Sequence, residues 1–393
     1  MRTVKLGEVV DFYSGATPAK ANTAWWQGDV SWFSAKDLKT RMLRDSIDHV
    51  SSEVFASTPL RLLPAGTVVM VVRGMILAHT VPICEMAVEG AINQDIKALI
   101  PRNTQIHQPY LAHILRAHHQ QLLDRVSTAA HGTKKLDARV LAGLEIPLPS
   151  LEEQRRIAAI LDQADAIRTK RRQVLAHLDA LPVSAFLSRF GDPDHATSTI
   201  TLGEVARLSG GRNLVADDQT QETSFRVLKI SAVTSGVFRE TESKWLPPGY
   251  VPPSAHLVRP GDLLMSRANT AELVGATALV GDASPNLALP DKVWRFEWQS
   301  PDTDPLFIQT LLSVPSMRRR ISRLASGTGG SMKNVSKEKL MRMPLPEVLA
   351  VEQHTFADSI RSAHRSRDLV AHTLDEDDAL FASLQARAFR GEV

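Results

Sequence analysis

Apolar positions recur along this chain with two periods, and each period appears twice. Short apolar runs bounded by glycine and proline, "TVVMVVRG" (67–74), "FRVLKISAV" (225–233) and "VWRFEW" (293–298), predict strands. Between them "PYLAHILRAHHQQLLDRV" (109–126) places Leu111, Ile114, Leu115, Leu122 and Val126 on one face and predicts a helix. Strands and helices mixed in this way predict an α+β domain over residues 1–150. After "PLP" the pattern changes. Proline stops the preceding strand, Glu152 and Glu153 suit the positive end of a helix, and a long helix is expected from Leu151 to about Phe190.

Spacings of three and four alternate through that helix at Ile157, Ile160, Ala164, Ile167, Arg171, Val174, Leu178 and Leu181. A second segment repeats them at Phe356, Ile360, Ala363, Arg367, Val370, Leu374, Asp377, Phe381 and Leu384. This is the seam of a coiled coil, although two amphipathic helices packed on their own domains would show the same period. Arg171 and Arg367, offset by 196, both interrupt the apolar seam at equivalent positions, and a polar seam residue fixes register at some cost in stability.

The repetition extends to the rest of the chain. "KLGEV" (5–9) returns as "TLGEV" (201–205), and "IPLPSLEEQ" (146–154) as "MPLPEVLAVEQ" (343–353). "LPAGTVVMVVRG" (63–74) resembles "VRPGDLLMSRAN" (258–269), and "AINQDIKALIP" (91–101) matches "LALPDKVWRFEW" (287–298) in its alternation. The chain therefore divides into a first head (1–150), a first spacer helix (151–190), a linker and second head (191–346), and a second spacer helix (347–393), related by an internal pseudo-twofold. A helix of that length would run on the order of 55 to 60 Å at 1.5 Å per residue. Duplex DNA rises about 3.4 Å per base pair, so two heads on such a spacer can read a split site.

Composition narrows this little. Lys plus Arg is 46 against 43 for Asp plus Glu, so a nucleic-acid surface must be a local patch, balanced by acidic stretches such as "LDEDD" (374–378). The single cysteine, Cys84 in "VPICEMAV", excludes an internal disulfide and fits an apolar core. No apolar run approaches the roughly 20 residues that cross a bilayer, and "MRTVKLGEVV" lacks the pattern of a signal peptide, so the expected compartment is the cytoplasm.

On "KLGEVVDFYSGATP", "WWQGDVSWFSAKDL", "AINQDIKALIP", "GLEIPLPSLEEQRRIAAILDQADAI", "TLGEVARLSGG", "RPGDLLMSR" and "RMPLPEVLAVEQ", the chain resembles the specificity subunit of type I restriction–modification systems over essentially its whole length. The resemblance implies two target-recognition domains that each read half of a bipartite asymmetric DNA site. It also implies an antiparallel coiled coil that sets half-site spacing and docks two methyltransferase subunits. Adenine methylation from S-adenosylmethionine, and ATP- and magnesium-dependent cleavage when a motor subunit joins, would then belong to the partners, and this chain would bind no cofactor. Asp377 on the second seam, and "VLAVEQ" where the first copy has "SLEEQ", depart from a regular repeat.

Base edges are read by Arg, Lys, Asn, Gln, Ser and Thr reaching from loops beside strands. The candidates in the first head are Ser34, Lys36, Asn93, Gln94, His131, Thr133, Lys134 and Lys135. In the second they are Lys229, Ser231, Arg267, Asn269, Thr270, Ser326, Thr328, Lys333 and Asn334. Each also fits a solvated turn. Trp25, Trp26 and Trp32 read as core anchors, and "RTKRR" (168–172) either touches phosphates or solvates its helix.

Catalytic signatures are sparse. "LPPGY" and "VPPSAH" have prolines without the flanking residues that hold a flipped adenine, and there is no Gly-x4-Gly-Lys-Ser/Thr loop. Glu242 and Lys244, following Asp217 and Asp218, form a nuclease-like pattern that chance often supplies. His113, His118 and His119 lack a carboxylate or cysteine at ligand spacing and read as a surface face, with no metal site. Two competing classes remain: a DNA-independent structural adaptor, and a self-contained nuclease or methyltransferase.

Overall fold

The computed structural model describes residues 2–129, 132–212, 222–327 and 332–392. They form two units, Met1–Arg172 with His372–Val393, and Gln173–Ala371. The two long helices, Leu151–Phe190 and Ala350–Arg390, each contribute to both units, whereas the sequence division set them apart as segments of their own. The base-contact candidates His131 and Thr328 and the nuclease-like Asp217 and Asp218 fall on 130–131, 213–221 and 328–331 and lie outside the described residues.

The first unit contains β1 (Thr3–Lys5), β2 (Val10–Ser14), β3 (Val30–Phe33), β4 (Met42–Leu43), β5 (Asp48–Val50), β6 (Val68–Val71), β7 (Ile83–Met86), β8 (Gly90–Ile92), β9 (Ile96–Pro101), β10 (Ser127–Thr128), β11 (Lys134–Lys135) and β12 (Glu145–Pro147). A five-stranded sheet runs β2-β9-β6-β7-β4, and a second sheet runs β5-β3-β8. All four residues of β6 are buried, which is why its sequence is continuously apolar and does not alternate. The helix Gln108–Ala117 covers this sheet with Tyr110, Leu111, Ile114 and Leu115. The single helix expected over 109–126 breaks at His118, whose Nδ1 lies 2.8 Å from the Ile114 carbonyl, and resumes as His119–Leu123.

The second unit contains β13 (Thr199–Thr201), β14 (Ala206–Gly210), β15 (Arg226–Leu228), β16 (Ser243–Trp245), β17 (Leu263–Ser266), β18 (Ala268–Asn269), β19 (Thr277–Leu279), β20 (Leu287–Ala288), β21 (Val293–Trp298), β22 (Ala325–Ser326), β23 (Lys333–Val335) and β24 (Pro344–Pro346). Its sheets are β14-β21-β17-β19, β16-β15-β20 and β18-β23-β22. The run "FRVLKISAV" does not stay extended: after β15 it coils into a helical turn, Ser231–Thr234, where Ser231 Oγ donates to Glu242 Oε2 at 2.6 Å.

The repeated "PLP" has a structural cause in each unit. β1 pairs antiparallel with β12, with Val4 opposite Ile146, and β13 pairs with β24, with Ile200 opposite Leu345. Each unit thus joins its first strand to its last before the chain enters a long helix. A glutamine then fixes that entry. Gln154, fully buried, accepts from His107 N at 2.8 Å and donates to the Gln105 and Pro149 carbonyls. Gln353 accepts from Asp304 N at 3.3 Å and donates to the Val348 carbonyl.

Within each unit the helix segments run antiparallel. In the first, the Arg168 guanidinium lies 4.2 Å from the Phe381 ring centre, Arg171 pairs with Asp377 at 2.6 Å, and Phe389 meets Tyr110 at 5.8 Å. In the second, Arg367 pairs with Asp179 at 2.8 Å, while Phe186, Phe190, Phe307 and Phe356 pack with ring centres 5.1–6.0 Å apart. Among the seam positions, Ile157, Phe356 and Ile360 are buried, and Ile160, Ala164, Leu178, Ala363, Val370, Leu374, Phe381 and Leu384 are half-buried. Ile167, Val174 and Leu181 keep 44, 44 and 38% of their surface, while Ala158 and Leu161, off the seam, are buried near the start of the helix.

One sequence equivalence is corrected. The strand pairing and the glutamines set the second copy 199 positions after the first at the helices, so Arg367 corresponds to Arg168, not to Arg171.

Candidate nucleic-acid interface

In the first unit the candidates meet along one edge, linked by backbone hydrogen bonds. Phe33 carbonyl accepts from Asn93 N at 2.9 Å, Asp95 carbonyl accepts from both Val72 N and Arg73 N, Arg73 pairs with Lys135, and Gly74 N donates to Lys134 carbonyl. The turn after β3, the β8–β9 loop and the β10–β11 hairpin therefore form a continuous polar strip. Lys36 and Gln94 are exposed on it, with Gln94 Oε1 accepting from Thr17 Oγ1 at 2.6 Å. Lys134 and Lys135 are half-buried, and Lys134 Nζ donates to Thr128 Oγ1 at 2.9 Å; Thr133 offers its carbonyl to Ala129 N.

Ser34 and Asn93 are placed differently from the expectation. Both are buried, Ser34 donating through N and Oγ to Asp37 and Asn93 donating to Asp95 at 3.2 Å. These short polar side chains are consumed in shaping their loops, as turn-forming residues commonly are. Arg73, exposed in the middle of the strip, was not among the sequence candidates, although "VVRG" occupies the place of "SRAN", which was.

The second unit assembles its candidates on the sheet β18-β23-β22. Asn269 pairs with Lys333, and Ala268 and Ser326 both pair with Asn334. Asn269 Nδ2 donates to Thr234 Oγ1 at 3.3 Å, which brings the turn carrying Lys229 and Ser231 beside this sheet. Thr270 and Ser326 are exposed, and Lys333 Nζ donates to the Gly327 carbonyl at 3.0 Å. Lys292, missed in the sequence, accepts through its carbonyl from Arg267 N at 3.0 Å. The two strips occupy the same place in the repeat: Val72 N and Arg267 N each donate to the residue before the long strand, and their carbonyls accept from Leu136 N and Val335 N. Cationic and amide side chains on loops beside strands can reach phosphate oxygens and base edges.

A separate charged cluster ties the first long helix to its unit. Arg41 pairs with Glu85, Asp162 and Asp165, Arg116 pairs with Glu85, and His113 Nε2 lies 2.9 Å from Asp162 Oδ1. His113 is therefore buried against a carboxylate and not on a surface face; its partner sits 49 residues away, beyond any local spacing rule. Burial would raise the Asp162 pKa, but hydrogen bonds from His113 and Arg41 outweigh it and hold the carboxyl at about 2. His119 is likewise engaged, within 2.9 Å of Thr80 Oγ1.

The corresponding joint in the second unit reverses the signs. Asp304, buried at the start of the helix Pro305–Ser313, accepts from Leu306 N and from Arg361 at 2.6 Å. In "RTKRR", Arg168 and Arg172 both bond Asp378 and Arg171 pairs with Asp377, so these arginines serve the helix pair and answer the acidic "LDEDD".

Cys84 fills the core, and burial pushes its thiol up to about 12, where it is an inert neutral side chain. Trp32 is buried with Nε1 donating to the Ala16 carbonyl, and Trp26 meets it edge-on at 5.0 Å, anchoring the β5-β3-β8 sheet. Glu242 is bonded by Ser231, on an exposed turn. Among the described residues no cluster of three or more His, Cys, Asp or Glu could hold a metal, and no helix is long and apolar enough to cross a membrane.

Residues 1–177 match the family described as type I restriction modification DNA specificity domain. The chain is 31% identical over 163 residues to the EcoR124I/EcoR124II specificity subunit of Escherichia coli, covering 41% of this chain and 40% of that protein. It thus spans about two fifths of that relative. Against the MjaVIII specificity subunit of Methanocaldococcus jannaschii it is 23% identical over 380 residues, covering 91% of this chain and 85% of that one. The type I S subunit from M. genitalium shares the fold with a TM-score of 0.58 at 13% identity, covering 99% of this chain and 96% of that structure. A structure concerned with complex assembly and conformational transition of a type I restriction–modification system gives a TM-score of 0.56 at 16% identity, over 100% and 98%.

Proposed function

We propose that this chain is a specificity subunit of a type I restriction–modification system, a reading supported by the family match over residues 1–177 and by its similarity to such subunits, and that each of its two units reads one half of a bipartite site on double-stranded DNA. The observation that carries this is the repeated polar strip. The same backbone scaffold presents Lys36, Arg73, Gln94, Lys134 and Lys135 in one unit, and Lys229, Arg267, Asn269, Lys292, Lys333 and Asn334 in the other. One scaffold carrying two sets of side chains is what two different half-sites require.

The chain does no chemistry in this reading. Two methyltransferase subunits supply adenine methylation with S-adenosylmethionine, and a motor subunit adds ATP- and magnesium-dependent cleavage. The long helices hold these partners. Large apolar side chains left exposed on them, Ile167 and Leu380 in the first unit and Val174 and Leu369 in the second, suit protein contact better than DNA.

Mapping methylated adenines across the genome of cells carrying this chain and its methyltransferase tests the reading. Exchange of the second head should replace one half of a split motif and retain the other half. A continuous motif indifferent to the exchange, or methylation independent of the chain, would leave the adaptor reading in its place.

A further inference from the structure

Arg267 and Val72 occupy one backbone position in the two copies of the repeat, with opposite chemistry. Val72 is buried, and its N–H donates to Asp95 carbonyl at 2.8 Å while its carbonyl accepts from Leu136 N at 2.8 Å. Arg267 makes the same two bonds, to Lys292 carbonyl and from Val335 N, both at 3.0 Å. A second exchange accompanies the first. Lys97 stands opposite Met70 in the first unit, and Trp294 stands opposite Met265 in the second. The second unit has therefore moved its cation off the long strand and onto the neighbouring turn, with an indole in the cation's former place.

The guanidinium of Arg267 lies 5.8 Å from the centre of the Trp294 ring. It is half-buried, and among the described residues its side chain has no hydrogen bond or ion pair. The other half-buried or buried arginines differ: Arg41, Arg116, Arg168, Arg226, Arg318 and Arg361, for example, all have carboxylate or carbonyl partners. Lys292 adjoins Arg267 through the backbone, and Lys333 lies on the adjoining strand, so the neighbourhood is cationic. A half-buried guanidinium that has no carboxylate or carbonyl partner among the described residues, beside two lysines, favours an incoming acceptor.

We infer that Arg267 is the guanine-reading residue of the second unit, its fork held by Trp294 for paired contact with the O6 and N7 acceptors of guanine in the major groove. This deepens the proposed DNA reading and rests on it. Stacking on an aromatic face fixes the plane of a guanidinium, which benefits a planar two-point contact, whereas a phosphate accepts a flexible lysine equally well. Lys229, Lys292 and Lys333 are available for phosphates. The first unit, with Val72 at this position, makes no such contact there.

The experiment compares methylation motifs for wild type, Arg267→Ala and Arg267→Lys, each expressed at full length with its methyltransferase. Both variants should relax a single position that is guanine in the wild-type motif, with discrimination there falling about tenfold or more and the other half unchanged. On a duplex carrying the mapped site, Arg267→Lys should keep the wild-type salt dependence, because its charge remains. An unchanged motif, a relaxed position that is not guanine, or methylation weakened equally at all sites overturns the assignment while leaving the two-unit reading intact. Absence of chain-dependent methylation in wild type overturns that reading and this inference together.

Discussion

Arg168 donates through Nε to Asp378 Oδ1 at 2.5 Å, and the same relation recurs 199 positions along the chain where Arg367 donates to Asp179 Oδ1 at 2.8 Å. Each long helix supplies one arginine and one aspartate. The two pairs differ in setting, since Arg168 is 16% exposed and stacked on Phe381, while Arg367 is 33% exposed and opposite an Asp179 that is 56% exposed. Solvent screening should leave the second pair worth a few tenths of a kcal/mol and the first about 1 kcal/mol. Double-mutant cycles to alanine, read by urea denaturation, should rank the couplings in that order, and added salt should erase the second before the first.

Gln154 is the residue through which the first unit grips its long helix. Replacement by leucine keeps the volume but strands the His107 N–H and the Gln105 and Pro149 carbonyls. The expected loss is about 2–3 kcal/mol of stability, most of it the cost of buried groups without partners. Gln353→Leu, at a half-buried site with two bonds, should cost about 1 kcal/mol less by the same denaturation assay. Equal losses would mean that the burial of the glutamine does not control its contribution.

Acid should loosen the joint of the first unit. Asp162 ionises at about 2 in the folded chain against 3.8 for an unperturbed aspartate. The unfolded chain therefore binds more protons between those values, so the stabilisation is complete above about pH 4 and is lost as pH falls through about 2. The urea-midpoint difference between wild type and Asp162→Asn should be constant from neutral pH down to about 5, shrink below about 4 and vanish near 2. A difference that persists at the lowest pH would assign the effect to packing and not to charge.

Much of this architecture was legible in the sequence because it rests on local rules. The duplicated "LGEV" and "PLP" segments, the helix start at Leu151 and the strand at "VWRFEW" all follow from short-range pattern. The parts that escaped depend on distant partners. His113 reads as a surface histidine until Asp162 and Arg41 are brought to it, and the helical break at His118 follows from its bond to Ile114. The register of the repeat was misjudged at the helices because the second copy carries three more residues before its "PLP" segment, which shifts Arg367 into correspondence with Arg168. Among the candidate site residues, residue type did not reveal which side chains are consumed in shaping their loops, as Ser34 and Asn93 show.

One glycine in each unit holds the strip against its neighbouring strand. A Cβ on Gly15 would lie 1.7 Å from the Ile92 carbonyl oxygen, and one on Gly211 would lie 1.6 Å from that of Leu289, so neither position admits a side chain without backbone movement. Gly15→Ala and Gly211→Ala should each cost about 3 kcal/mol or more. Gly281→Ala, where an added methyl meets nothing within 4 Å, should be close to neutral in the same thermal or urea titration. The two damaging changes should also weaken DNA binding, since Ile92 and Leu289 directly precede the loops that carry the strips.

Lys134 and Lys135 separate positioning from reading in the first unit. They lie on β11 beside Arg73, and the Lys134 ammonium reaches Thr128 Oγ1, which holds its charge on the strip without neutralising it. Phosphate contacts release counterions, and each should contribute about 0.9 to the slope of log affinity against log salt on duplex DNA. Replacing both lysines with alanine should therefore flatten the slope by about 2 and weaken binding to unrelated duplexes as much as to the mapped site. If the pair reads bases instead, the slope should change by less than this and the methylation motif should relax in the half that the first unit recognises. Fluorescence anisotropy across a salt series, on the full chain with its methyltransferase, measures both quantities in one titration.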